Sequence, residues 1–170
     1  VRISTAAISR SALATRDFHD VSLLLPAGYN PNLDYPVLYL FHGRGGANGD
    51  WIIHTDIEQL TANRKLIVVM PQAGRAGWGT NWVNQSGGAQ QWDHFHLDQL
   101  IGWVDTNLST IRHRQGRAVA GFSMGGFIAI RAAAVRPHLF SFAGGFSAGY
   151  DLQDIRMQAT VMGSAVLEGL

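Results

Sequence analysis

The sequence predicts a layered α/β fold with a mostly parallel central sheet. Three observations carry this. Short runs without a charged residue ("VLYLF" at Val37–Phe41, "LIVVM" at Leu66–Met70, and Ala118–Phe122) read as strands buried on both faces. Stretches with helical spacing lie between them. Each run is followed within two residues by Gly, Pro or Ser, residues that stop regular structure.

Taken in order, Val1–Ser9 alternates weakly and is expected to form an edge strand. Val21–Leu25 is a short strand closed by Pro26, and a Pro/Asn/Gly loop leads to Val37–Phe41. Thr55–Asn63 is expected to be helical, opened by a capping box in which Thr55 and Glu58 satisfy backbone N–H groups. On this reading Asp56 and Glu58 are first-turn acids. Leu66–Met70 is a strand stopped by Pro71. Gly74–Gln91, rich in Gly, Asn, Gln and Trp, has no period and reads as a long surface loop. Leu97, Leu100, Ile101, Val104 and Leu108 predict a helix over Asp98–Leu108. Met124–Val135 is a helix stopped near Pro137, and Phe140–Phe146 is a last strand.

The 170 residues suit one domain, 1–170. With 46% apolar and 15% charged residues, the chain has material for a core and too little charge for a disordered segment. A net charge of +1 without a basic run gives no reason to expect nucleic acid as a partner. The absence of cysteine excludes disulfides, thiolate zinc sites and a thiol nucleophile. No apolar run reaches the length of a membrane span. No cofactor is expected.

In a parallel sheet, chemistry gathers at the carboxyl ends of the strands. Three loops compete for that place, after Phe41, Met70 and Phe122. The last holds Gly121-Phe122-Ser123-Met124-Gly125, a G-x-S-x-G pattern between a strand and a helix. A serine at the tip of such a turn projects its hydroxyl over the sheet edge. Small flanking residues relieve collisions across the turn. The helix that follows aims its N–H groups at the reacting carbonyl, so the Met124 N–H is one expected oxyanion donor. The loop "HGRGGANGDW" after Phe41 offers a second, expected at the Arg44 N–H. It lacks the Gly-Lys-Ser/Thr of a phosphate loop. His42 is expected to order this loop beside the substrate pocket.

"YPVLYLFHGRGG", "VVMPQAGRAGWGTNW", "GFSMGGFIAI" and "RPHLFSFAGGFSA" occur in this order. Together they resemble the esterase D / antigen 85 branch of the α/β-hydrolases, from about Phe18 to Tyr150. The resemblance implies an α/β-hydrolase fold with Ser123 as nucleophile and the Arg44 and Met124 N–H groups as oxyanion hole. It places Asn81 and Trp82 near an acyl or acceptor pocket. It implies a small-molecule, lipid or sugar ester as substrate, and it tilts the expected location toward secretion. The function it implies is serine ester hydrolysis through an acyl-enzyme. The alternatives are an acyltransferase of mycolyltransferase type and a non-catalytic hydrolase-like binding protein.

The sequence departs from that family where the triad should close. The family's acid and histidine follow the nucleophile on later strands. After Ser123 there is one histidine, His138, and its place before the last strand puts it at the opposite end of the sheet. No catalytic histidine is identified. Asp151, just past the last strand, is a possible acid. The missing strands leave an open apolar edge at 140–146, where self-association is expected. His94 and His96 form H-x-H without a third ligand, so no metal site is assigned. Trp51, Trp78, Trp82, Trp92 and Trp103 are read as packing residues that could line an apolar site, Trp103 at its rim.

Overall fold

In a computed structural model the described residues are all but 6, 9–17, 84–89 and 168–170. They form one six-stranded sheet in the order β1-β2-β4-β3-β5-β6. The strands are β1 (Arg2–Ser4), β2 (Phe18–Leu24), β3 (Val37–Phe41), β4 (Ile67–Pro71), β5 (Arg117–Phe122) and β6 (Phe142–Phe146). β1 and β2 run antiparallel to their neighbours, and β4, β3, β5 and β6 are mutually parallel.

Every residue of β4 is buried, as a two-sided apolar run requires. One face of the sheet carries the main core, where Tyr39, Phe41 and Val119 pack under Phe95, Leu100, Val104, Ile128 and Ala132. The helices above it are the short α3 (Trp92–His94), a π-helical segment (Phe95–Leu100), α4 (Ile101–Asn107) and α5 (Met124–Val135). The other face carries a smaller cluster of Leu40, Val68, Met70 and Ala120, covered by α1 (Asp50–His54) and α2 (Ile57–Thr61).

Three expectations are corrected. The Thr55–Glu58 capping box does not form. A helix already runs over Asp50–His54, so Thr55 ends it, and its hydroxyl bonds back to the Trp51 carbonyl. Thr55 also accepts the Ile57 N–H at 3.3 Å, but α2 starts without a side-chain cap at Asp56. The central helical run begins at Trp92, not Asp98, because the π-helical stretch hides the ordinary 3.6-residue spacing. His94 and His96 therefore sit within helix. The segment after β4 is not a surface loop: Gly74, Ala76, Gly77, Trp78 and Gly79 are buried. Its glycines serve close packing. A Cβ on Gly77 would stand 2.8 Å from the Trp92 ring, and one on Gly79 2.8 Å from the Ile128 side chain. The remainder of that stretch, 84–89, lies outside the described residues. A last helix, α6 (Ile155–Leu167), was not anticipated.

Candidate functional site

Ser123 joins β5 to α5 and adopts φ 54°, ψ −117°. A non-glycine residue there carries strain of about 1–3 kcal/mol and persists only where its surroundings fix it. They do. Its N–H donates to the Phe146 carbonyl at 2.7 Å, and its carbonyl accepts the Phe127 N–H at 3.1 Å. Both flanking glycines have a steric reason. A Cβ on Gly121 would lie 2.3 Å from the Gly125 carbonyl carbon, and one on Gly125 would lie 2.3 Å from the Phe41 carbonyl oxygen. The first turn of α5 thus rests directly on the backbone at Phe41 and His42. Its leading N–H groups, Met124 among them, have no acceptor inside the helix.

The loop after β3 is held by neighbours. Gly45 (φ 77°) donates its N–H to the Arg75 carbonyl at 2.8 Å, and Gly46 donates to the Gly43 carbonyl at 3.1 Å. The Trp51 indole donates to the Phe41 carbonyl at 3.1 Å. His42 is 2% exposed. Its Nε2 accepts the Ala73 N–H at 2.9 Å, so Nδ1 carries the proton and donates to the Gly43 carbonyl at 2.7 Å. The Gln72 side-chain amide lies 2.7 Å from the same Nε2, and with Nδ1 protonated the amide is turned so that its NH₂ donates to the ring. With both nitrogens engaged, the ring orders the loop. The three competing loops therefore converge: the β3 and β4 loops are tied through His42 and Gly45, and the β5 turn packs on the first of them.

Two cavities flank this junction. One, about 340 Å³, is lined by His42, Gly43, Arg44, Trp51, His54 and Phe122, among others. The second, about 360 Å³, is walled by Trp78, Trp82, Val161, Met162 and Val166, with Thr80 and Asn81 on it. Asn81 is exposed, and its Oδ1 accepts the His94 N–H at 3.3 Å. The half-buried Trp82 donates its indole N–H to the Gly77 carbonyl at 3.2 Å. Trp78 (φ 52°) donates its indole N–H to Ser164 at 3.0 Å and stacks edge-on against Phe127, one helical turn from Ser123.

His138 is set apart from the serine, and the other candidate residues have partners of their own. His138 is exposed in the turn between α5 and β6. The Ser141 N–H donates to the Arg117 carbonyl, which puts that turn beside the start of β5, at the far end from Ser123. Asp151 is exposed, accepts the Gln153 N–H at 2.9 Å, and borders a different cavity with Tyr150, Asp154 and Arg156. His94 pairs with Asp98 at 2.9 Å. His96 is buried and donates from Nε2 to the Gln72 carbonyl at 3.0 Å, and burial pushes its pKa down to about 3. No group of three or more His, Cys, Asp or Glu is placed to hold a metal among the described residues. No described helix is long and apolar enough to cross a membrane.

Two supporting features escaped the sequence reading. Gln72 contacts both His42 and His96, and a polar residue directly after a buried strand at the functional end of the sheet was the available signal. Asp93, 5% exposed, accepts from Arg131 at 2.5 Å and Arg136 at 3.3 Å. Arg131 also donates to the Gly79 carbonyl at 2.9 Å, which clamps α5 to the loop that carries Trp78 and Asn81. No local pattern signals that pairing.

Comparison with known proteins agrees with this layout. The family model described as putative esterase matches residues 14–160. Esterase Rv1288 of Mycobacterium tuberculosis is 47% identical over 117 residues, covering 67% of this chain and 25% of that protein. The diacylglycerol acyltransferase/mycolyltransferase Ag85B of Mycobacterium leprae is 32% identical over 124 residues, covering 68% of this chain and 37% of that protein. Among solved structures, the fluorophosphonate-binding serine hydrolase FphF of Staphylococcus aureus superposes with a TM-score of 0.73 at 21% identity, covering 91% of this chain and 58% of that one. MPT51 of Mycobacterium tuberculosis superposes at 0.71 with 22% identity, covering 100% and 60%. The chain thus spans between a quarter and three fifths of the length of these relatives. It belongs to the putative esterase family and has the α/β-hydrolase fold, and antigen 85-type proteins are among its relatives.

Proposed function

We propose that this chain carries the nucleophile half of a serine ester hydrolase. The carrying observation is the backbone of Ser123, held at φ 54° between two glycines that contacts with other backbone segments make obligatory. In this reading the Ser123 hydroxyl oxygen bonds to the ester carbonyl carbon. The Arg44 and Met124 N–H groups receive the negative oxygen, and the alcohol leaves as the acyl-enzyme forms. Water then releases the acid. The hydroxyl proton passes to a base and from it to the oxygen of the departing alcohol; among the described residues no histidine is hydrogen-bonded to the Ser123 hydroxyl, and this reading assigns the base to a segment outside them. Asp151, at the correct end of the sheet, is the candidate acid.

The substrate is a small-molecule, lipid or sugar ester. The apolar cavity beside Asn81 and Trp82 supports binding of its acyl or acceptor part, and His42 lines the cavity on the other side of the serine. The same reading includes a location outside the cell, in line with the antigen-type relatives, and self-association at residues 140–146. Acyl transfer to a sugar hydroxyl is the second reading, favoured by the 32% identity to a mycolyltransferase.

The experiment is labelling of the folded chain with a fluorophosphonate, read by intact mass, beside Ser123→Ala. One adduct per chain, lost in the variant, supports the assignment. A folded chain that takes no label overturns it in favour of a hydrolase-like binding protein.

A further inference from the structure

The buried imidazole of His42 sits where the loops after β3 and β4 meet. One of its contacts fixes the others. The Ala73 N–H points at Nε2 from 2.9 Å, and a backbone N–H can only donate. Nε2 therefore keeps its lone pair, and the ring proton is on Nδ1. The Gln72 amide adds a second donor on the Nε2 side at 2.7 Å. Gln72 is pinned in turn. Its N–H donates to the Asp20 carbonyl at 3.0 Å, and its carbonyl accepts from His96 at 3.0 Å.

The Nδ1 proton goes to the Gly43 carbonyl at 2.7 Å, and the Gly46 N–H donates to the same oxygen at 3.1 Å. The three groups are closely gathered: a Cβ on Gly46 would stand 3.1 Å from both the Gly43 carbonyl oxygen and His42 Nδ1. The Gly43 carbonyl shares a peptide unit with the Arg44 N–H. That peptide is trans, so the two groups point in opposite directions. Holding the carbonyl against the ring thus sets the direction of the Arg44 N–H. Among the described residues no acceptor takes up this N–H, whereas those of Gly45 and Gly46 are both taken. Gly43 and Arg44 line the cavity bordered by Phe122, the residue before Ser123. Two donors on one carbonyl also draw electron density from the amide nitrogen, which strengthens the N–H as a donor.

We propose that His42 is a positioning residue for the ester chemistry: its Nδ1–H holds the Gly43 carbonyl so that the Arg44 N–H of the same peptide is aimed, and strengthened, as an oxyanion donor. Gln72 and the Ala73 N–H keep the ring in the one tautomer that does this. The role rests on the reading of Ser123 as nucleophile. It goes beyond tying two loops together, because it gives the ring a share in the rate. The two contacts of the ring then have separate effects. Loss of the Nε2 acceptor orphans the buried Ala73 N–H and lowers stability. Loss of the Nδ1 donor leaves the Gly43 carbonyl with its Gly46 partner and lowers the rate.

Two substitutions split these contacts. His42→Asn keeps an N–H at the position of Nδ1 and has no acceptor at that of Nε2. His42→Gln keeps an acceptor for the Ala73 N–H and has no donor for Gly43. The readout is labelling of Ser123 by a fluorophosphonate, whose phosphoryl oxygen takes the oxyanion position, followed by intact mass over a range of reagent concentrations. His42→Gln is expected to lower the maximal labelling rate about 10- to 100-fold, short of the loss for a donor removed outright, with the half-saturating concentration nearly unchanged. His42→Asn is expected to label about tenfold faster than His42→Gln, although it unfolds at lower urea. Nitrogen-15 resonances of the parent chain are expected to place the His42 proton on Nδ1. A proton on Nε2 overturns the proposal, even if a variant fails to fold. So do equal maximal rates in the two variants, rates that follow the order of stability, or a loss confined to the half-saturating concentration, and in these cases Ser123 keeps its assignment. A folded parent chain that takes no label overturns both.

Discussion

The Ser123 amide and the Phe146 carbonyl meet at 2.7 Å across the carboxyl end of the sheet. This bond extends the β5–β6 ladder one residue beyond the strands and takes up the Ser123 N–H. The serine is then held in a conformation that an L-residue adopts only under constraint, φ 54° and ψ −117°. The strain is local and belongs to the turn, so it can be measured.

Ser123→Gly is expected to be more stable than Ser123→Ala by about 1–2 kcal/mol, because glycine alone is free of the Cβ penalty at positive φ. Urea denaturation of the two variants gives the difference. Equal stabilities would mean that the turn is relaxed in solution.

The glycines divide into those the fold requires and those it tolerates. In Gly125→Ala the new Cβ meets the Phe41 carbonyl oxygen at 2.3 Å and the His42 carbonyl oxygen at 2.6 Å. Both are backbone atoms, so relief means moving α5 away from the loop after β3. A loss of about 3 kcal/mol or more is expected. Gly102 is exposed within α4, and nothing lies within 4 Å of a Cβ there. Gly102→Ala should gain about 1 kcal/mol from helix propensity alone. Thermal melts of the pair test the reading, and a harmless Gly125→Ala would refute the close approach that frames the proposed oxyanion site.

How much of this was legible in the sequence follows from the range of the forces involved. β3 and α5 were read to the residue, since a continuous apolar run closed by Gly or Pro and a helix between Ser123 and Pro137 are local signals. The serine turn was legible for the same reason. The 74–82 segment was misread because glycine serves both mobile loops and tight packing. Only the positions of Trp92 and Ile128, brought in from elsewhere, decide between them. The π-helical turn at Phe95–Leu100 hid six residues of helix from a 3.6-residue search. Gln72 and Asp93 escaped because their partners are 24 to 43 residues away.

Asp93 supports the site from a distance. Its carboxylate is nearly buried and faces two guanidinium groups, Arg131 and Arg136. Asp93→Asn keeps the shape but leaves Arg131 without its counter-charge beside the Gly79 carbonyl. Breaking one side of such a buried pair costs about 3–5 kcal/mol, and the partial exposure of both arginines puts the expected loss at the lower end. Chemical denaturation measures it. The Trp78 environment should change as well, because the clamp holds the loop on which that indole sits, so tryptophan emission is a second readout.

His96 makes the fold sensitive to acid. Burial is the main cause of its low pKa, about 3, opposed by the hydrogen bond to the Gln72 carbonyl and aided by His19 and His42 nearby. The unfolded chain binds the same proton with a pKa near 6.5. Above 6.5 the ring is neutral in both states and stability does not depend on it. As pH falls from 6.5 toward 3, the unfolded state takes up the proton and the folded state does not. Stability therefore drops by up to about 1.4 kcal/mol per pH unit over that window. Urea midpoints between pH 7.5 and 5 should show this slope in the parent chain, and His96→Phe should flatten it. A slope unchanged by the substitution would place the acid sensitivity in other groups. The same titration bears on the site, since protonating His96 replaces a ring packed under Phe41 and Gln72 with a buried cation, and Gln72 is one of the residues that hold His42.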